Sequence, residues 1–178
     1  MMPTMEERLT SMIVGMTKTI IPALHDADSL AREQAGLILG HLQVLRAQVD
    51  HSVRYEQLEL RDTRNLAETL RANAEGGVAT SIAATSLGEI LDRTSDVRSP
   101  QDVRAVTEQL NAAVAALIHA ASADGRAAFR QLYTQVTLRF AKARALSERA
   151  WFAGTGFEAH PGDMPSITTL MERLERNA

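Results

Sequence analysis

The 178-residue chain contains no cysteine. Disulfide staples, thiolate nucleophiles and Cys-ligated zinc are therefore excluded from its chemistry. Aromatic residues are scarce, at 4%, while alanine, leucine and arginine, all strong helix formers, are frequent. The formal charge of −3 offers no overall attraction for nucleic acid or for an anionic membrane, and neither is expected as a partner. No apolar run approaches the roughly 18 residues needed to span a bilayer, and the N-terminal MMPTMEERLT lacks the basic and apolar regions of a signal peptide. A cytoplasmic protein is the expectation.

Catalytic and metal-binding motifs are missing too. There is no Glu-x-x-His pair of the di-iron bundles, no His-Glu-x-x-His, no Gly-x-Ser-x-Gly elbow and no phosphate-binding glycine loop between a strand and a helix. No metal or cofactor is expected, and the balance leans away from an enzyme.

What is present is helical. Apolar residues make up 45% and charged residues 23%, the usage of a folded globular chain, and the length suits a single domain over residues 1–178. Thr4 and Glu7 have the spacing of a capping box. Met5, Leu9, Ile13, Met16, Ile20 and Leu24 then recur at three and four, predicting an amphipathic helix over 4–24. HDADS (25–29) interrupts the stripe and offers Asp26, Asp28 or Ser29 as the next N-cap. A second stripe, Ala31, Ala35, Ile38, Leu42, Leu45 and Val49, thins beyond Val53 and recovers at Leu66 and Leu70. Residues 29–72 read either as one helix of about 65 Å at 1.5 Å per residue or as two helices broken within 54–64.

Shorter apolar patterning marks 80–94. Ser99, Pro100 and Asp102 open a helix whose stripe is Val103, Val106, Leu110, Val114, Leu117 and Ala121. Phe129, Leu132, Val136, Phe140 and Ala150 carry the next, over about 124–153. Glycine and proline make 154–165 a loop, and Ile167, Leu170, Met171 and Leu174 form a last short helix. No strand-like alternation persists. The expected fold is all-α, a helical bundle of four main and two shorter helices.

Three features are candidates for function. Gln34, His41, Gln48 and Tyr55 are spaced by seven and form one polar row, with His41 inside the apolar face of its helix. A buried row of this kind either pairs with a neighbouring helix or second subunit and fixes register, or lines a ligand cavity. The loop carries Glu158, His160 and Asp163 beside Trp151, Phe152 and Phe157, a spacing able to hold a metal or a general base. Arg126, Arg130, Arg139, Lys142, Arg144 and Arg149 make the 124–153 helix basic, either for a phosphorylated or acidic partner or as a solvated face offset by Glu56, Glu59 and Asp62.

The stretch IPALHDADSLAREQAGLILGHLQVL (21–45), with the helix start Ala31, Arg32, Gln34, Ala35, resembles small helical proteins of bacteria found near acyl-CoA dehydrogenases and kinases similar to aminoglycoside phosphotransferases. The resemblance covers about 25 residues and carries no catalytic motif. It implies a context of acyl-CoA metabolism. Together these readings predict a non-catalytic interaction or accessory protein, a homodimer with a possible enzyme partner. The rival expectation is a small-molecule binding protein or enzyme using a cavity lined by His41.

Overall fold

The computed structural model describes residues 2–25, 29–94, 97, 99–155 and 158–176. The candidate caps Asp26 and Asp28, with Phe157 of the loop, lie outside the described residues. Among those described, the fold is all-α: seven helices, no β-strand, and one isolated bridge between Gly76 and Gly125. No described helix is long and apolar enough to cross a membrane.

Helix α1 (Met5–Gly15) opens with the expected reciprocal cap. The Glu7 amide donates to Thr4 Oγ1 at 3.1 Å and the Thr4 amide donates to Glu7 Oε2 at 2.7 Å. The helix continues through a π-helical turn, Met16–Ile20, into the short turn Ile21–Ala23. Pro22 explains the wider turn. A proline ring clashes with the carbonyl four residues before it, and the π register, in which the Ile21 amide donates back to Met16, opens the helix just ahead of it.

Helices α2 (Ser29–Gln48) and α3 (Ser52–Ala72) are two segments. The break falls at 49–51, a few residues ahead of the window that hydrophobic patterning indicated. The cause is local. The Ser52 hydroxyl donates to the Val49 carbonyl at 3.1 Å and the His51 amide to the Gln48 carbonyl at 2.9 Å, a side-chain and turn pairing that competes with the α-helical ladder.

Helices α4 (Val78–Arg93), α5 (Pro100–Asp124), α6 (Ala127–Phe152) and α7 (Ile167–Arg176) follow. The four-plus-two helix count is thus corrected to seven by the break between α2 and α3.

Length alone leads to one domain over 1–178; the contacts within the chain group into two compact units. Unit 2 is Val53–Arg144. Its core joins Leu66, Ala67 and Leu70 of α3, Leu87 and Leu91 of α4, Val106, Leu110, Leu117 and Ala121 of α5, and Phe129 of α6. These are the stripes read from the sequence, closed on one another.

Helix α4 is fastened at both ends from outside. Its N-cap, Gly77, has no side chain, and Asp124 supplies the missing acceptor, taking the amides of Ala79 at 2.8 Å and Thr80 at 3.0 Å as well as the Thr80 hydroxyl. At the other end Arg64 of α3 donates to the Thr94 carbonyl at 2.7 Å, where a cation complements the helix dipole. The bridge Gly76–Gly125 needs two glycines, because a Cβ on Gly76 would come within 2.8 Å of the Gly125 Cα.

Unit 1 is Met1–Ser52 with Ala145–Ala178. Here α1 packs on α2, and the turn Ala153–Thr155 packs on α2 as well. Leu9, Met16, Ala35, Val44, Ala150, Trp151, Leu170 and Met171 are its buried apolar residues.

Candidate functional site

The polar row does not survive as one line. Tyr55 is buried on α3 in unit 2, beyond the break, whereas Gln34, His41 and Gln48 belong to α2 in unit 1. Gln48 is buried, and its side-chain amide donates to the Trp151 carbonyl at 2.8 Å. That bond ties α2 to the end of α6 and is structural.

Gln34 and His41 are exposed, a correction to the expectation that this part of the row is buried. At 100° per residue His41 lies between Leu37 and Leu45, with Ile38 next to Leu45. The error lay in taking an apolar face to be a covered one. Leu30 is 68% exposed, Leu37 41%, Ile38 51% and Leu45 52%. Of the stripe read from the sequence, Ala35 is buried and Leu42 and Val49 are half-buried, while Ile38 and Leu45 are open together with Leu30 and Leu37, and Gln34 and His41 run along the middle of this exposed edge.

Helix α1 adds to it. Leu9 and Met16 are buried while Met5, Met12 and Ile20 are exposed. At 100° per residue, Met5 and Met12 sit to one side of Leu9 and Met16, the residues that α1 buries. For an antiparallel hairpin this sense of rotation brings them to the same face as the open stripe of α2. Exposed apolar residues scattered singly are ordinary; here Leu30, Leu37, Ile38 and Leu45 share one edge of α2 around Gln34 and His41.

The loop candidates do not converge. Glu158 accepts a bidentate pair from Arg149, at 2.9 Å and 2.8 Å, and the His160 amide at 3.3 Å. The Arg149 guanidinium, with help from that amide, holds the Glu158 carboxyl down from 4.5 to about 2. A carboxylate so engaged is a poor general base near neutral pH. His160 and Asp163 are exposed, and among the described residues no group of three or more His, Asp or Glu side chains is placed to hold a metal ion.

Three of the six basic residues singled out for this helix meet carboxylates. Arg144 meets Glu59 at 3.0 Å, Arg126 meets Glu75 at 3.2 Å and Arg149 meets Glu158. Glu59 is one of the three acidic residues singled out in the sequence. The other two pair with different cations: Glu56 with Arg104 of α5 at 3.0 Å, and Asp62 with its neighbour Arg61.

Patterning did not reveal a cleft of about 340 Å³ in unit 1, lined mainly by Val44, Ala47, Trp151, Met164, Pro165 and Ile167. It joins residues more than a hundred positions apart in the chain, and no local signal marks it. A smaller cleft of about 170 Å³ in unit 2 holds Glu56, Glu59, Glu108, Arg104 and Arg144.

Comparison with protein-family models, with curated proteins and with solved structures finds no match to this chain.

Proposed function

We propose that the chain is a cytoplasmic, non-catalytic helical-bundle protein that acts through protein contacts, as a homodimer formed by the α1–α2 face. One observation carries this reading. Leu30, Leu37, Ile38 and Leu45 form a single open stripe on α2, and apolar surface of that extent is favourably removed from water by association. The acyl-CoA context implied by residues 21–45 makes an enzyme of that metabolism the partner such a dimer would assist.

Light scattering after gel filtration, repeated over a range of concentrations, tests the dimer. The expected mass is twice that of the chain at micromolar concentration, and Leu37→Glu gives the single-chain mass with helix content unchanged, because a carboxylate in the seam loses its hydration on association. A single-chain mass for the unaltered protein at those concentrations overturns the proposal.

A second reading rests on the 340 Å³ cleft of unit 1, which is apolar on most of its walls and of the size that takes a small ligand. Native mass spectrometry of the purified protein separates the two. An adduct that vanishes on denaturation and is lost in Met164→Trp, which fills the cleft, supports the ligand. A bare dimer supports the interaction protein.

A further inference from the structure

The open stripe of α2 reads the same in both directions. Leu37 and Ile38 flank its midpoint, Gln34 and His41 come next on either side, and Leu30 and Leu45 lie outermost. All six side chains are exposed. The geometry points to an isologous antiparallel dimer in which two α2 helices cross at residues 37 and 38, so that Gln34 of each copy meets His41 of the other. This rests on the homodimer proposed above and specifies its symmetry and register.

Self-complementarity is the first support. In a two-fold interface each residue meets the counterpart that the axis assigns to it. About an axis between Leu37 and Ile38, every apolar residue of the stripe meets an apolar one and each polar residue meets a polar one. A displacement by half a heptad sets the amide and the imidazole against leucine. The Gln34 and His41 side chains are exposed and make no hydrogen bond to another described residue, which leaves both side chains available to the partner. An amide that donates and accepts suits an imidazole that does the same. The polar row thus becomes a register device, the use to which single polar seam positions are put in coiled coils.

The ends of the stripe decide the direction. Around and beyond Leu45 the helix is covered on one side, since Val44 lies against Gly154 and the Gln48 amide binds the Trp151 carbonyl. In a parallel pair these covering segments would meet at one end. In an antiparallel pair they stand at opposite ends, each beside the open Leu30 end of the other helix, and the helix dipoles oppose favourably.

From Leu30 to Leu45 the stripe is about 22 Å long and about one helix diameter wide. That is only part of the roughly 800 Å² that each partner of a stable dimer covers. Met5 and Met12 are exposed, and helical spacing in an antiparallel pairing of α1 with α2 sets them on the side of the open stripe; they supply further apolar surface, and two such pairs then make a four-helix assembly.

The absence of cysteine allows a direct test with single-thiol variants. Leu37→Cys and Ile38→Cys lie at the axis and are expected to form a disulfide with their own copy under mild oxidation. In Leu30→Cys the two thiols of a dimer lie about 22 Å apart along the helices, far outside disulfide reach. Leu30→Cys alone and Leu45→Cys alone are therefore expected to stay unlinked, and an exchanged mixture of the two to give a band at twice the chain mass. Gln34→Cys mixed with His41→Cys repeats the experiment at a second pair. Linking of Leu30→Cys to itself in a protein of dimer mass would overturn the antiparallel register and leave the homodimer standing. A single-chain mass with no linking at any position would overturn both.

Discussion

Two threonines in unit 2 are fully buried and should respond in opposite ways to the same substitution. Thr63 and Thr80 are both 0% exposed. The Thr80 hydroxyl donates to the Asp124 carboxylate, whereas the Thr63 hydroxyl has no hydrogen-bond partner among the described residues. A buried hydroxyl left unpaired costs about 1–3 kcal/mol. Thr63→Val keeps the shape, removes that cost and buries one more methyl, worth about 0.8 kcal/mol. Valine and threonine have similar helix propensities, so the backbone adds little to the balance. The net expectation is a gain of about 2 kcal/mol. With a urea dependence of about 2 kcal/mol per molar, the unfolding midpoint rises by about 1 M. The assay is urea unfolding followed by circular dichroism, at one protein concentration for all variants because the proposed dimer would make apparent stability depend on concentration. Thr80→Val is the control and should lower the midpoint, since it strips a donor from Asp124. A Thr63→Val midpoint that is unchanged or lowered would refute the reasoning, because the hydroxyl would then have to be satisfied in solution.

Other perturbations test the same structure. Leu117→Ala, at a fully buried position of α5, is expected to cost about 2–5 kcal/mol in the same unfolding assay, and a loss below about 1 kcal/mol would mean that the core is not closed there. Gly125→Ala places a Cβ 2.5 Å from the Ala121 carbonyl oxygen and 2.9 Å from its Cα. The backbone must shift, and thermal unfolding should show a loss of about 1–3 kcal/mol. Acid should loosen unit 1 through Glu158. Its folded pKa is lowered, so the ionised form favours folding. The stability it contributes is complete above 4.5 and is lost as pH falls toward about 2. Unfolding midpoints measured down that range should fall less steeply in Glu158→Gln; equal slopes would show that the Arg149 pairing is absent in solution. Asp124, lowered chiefly by the Thr80 hydroxyl, adds the same sign of dependence in unit 2 and is unaffected by that substitution.

Much of the fold is legible without coordinates. Thr4 and Glu7 cap α1 as their spacing requires, Ser99 accepts the Asp102 amide at the start of α5, and the stripes of α3 to α6 are the residues that close the unit 2 core. These features are local, set by the helical period and by side chains three or four residues apart, and each such determinant is written in a short window. The α2–α3 break is local too, and the sequence offers it only as one alternative and a few residues late, because no glycine or proline marks it and a serine hydroxyl competing with the helix ladder is a weak signal.

The sequence by itself determined the all-α class, most helix boundaries and which residues share a face. It also singled out Gln34 and His41 as polar groups in an apolar stripe. Only the tertiary structure decided that this stripe is open, that Gln48 is occupied by Trp151, that Tyr55 stands in a different unit, and that Glu158 is held by Arg149. The physical reason is that periodicity reports which face of a helix is apolar and carries no information about what covers it. Coverage comes from residues distant in the chain. On α1 and α2 part of the apolar face is left exposed.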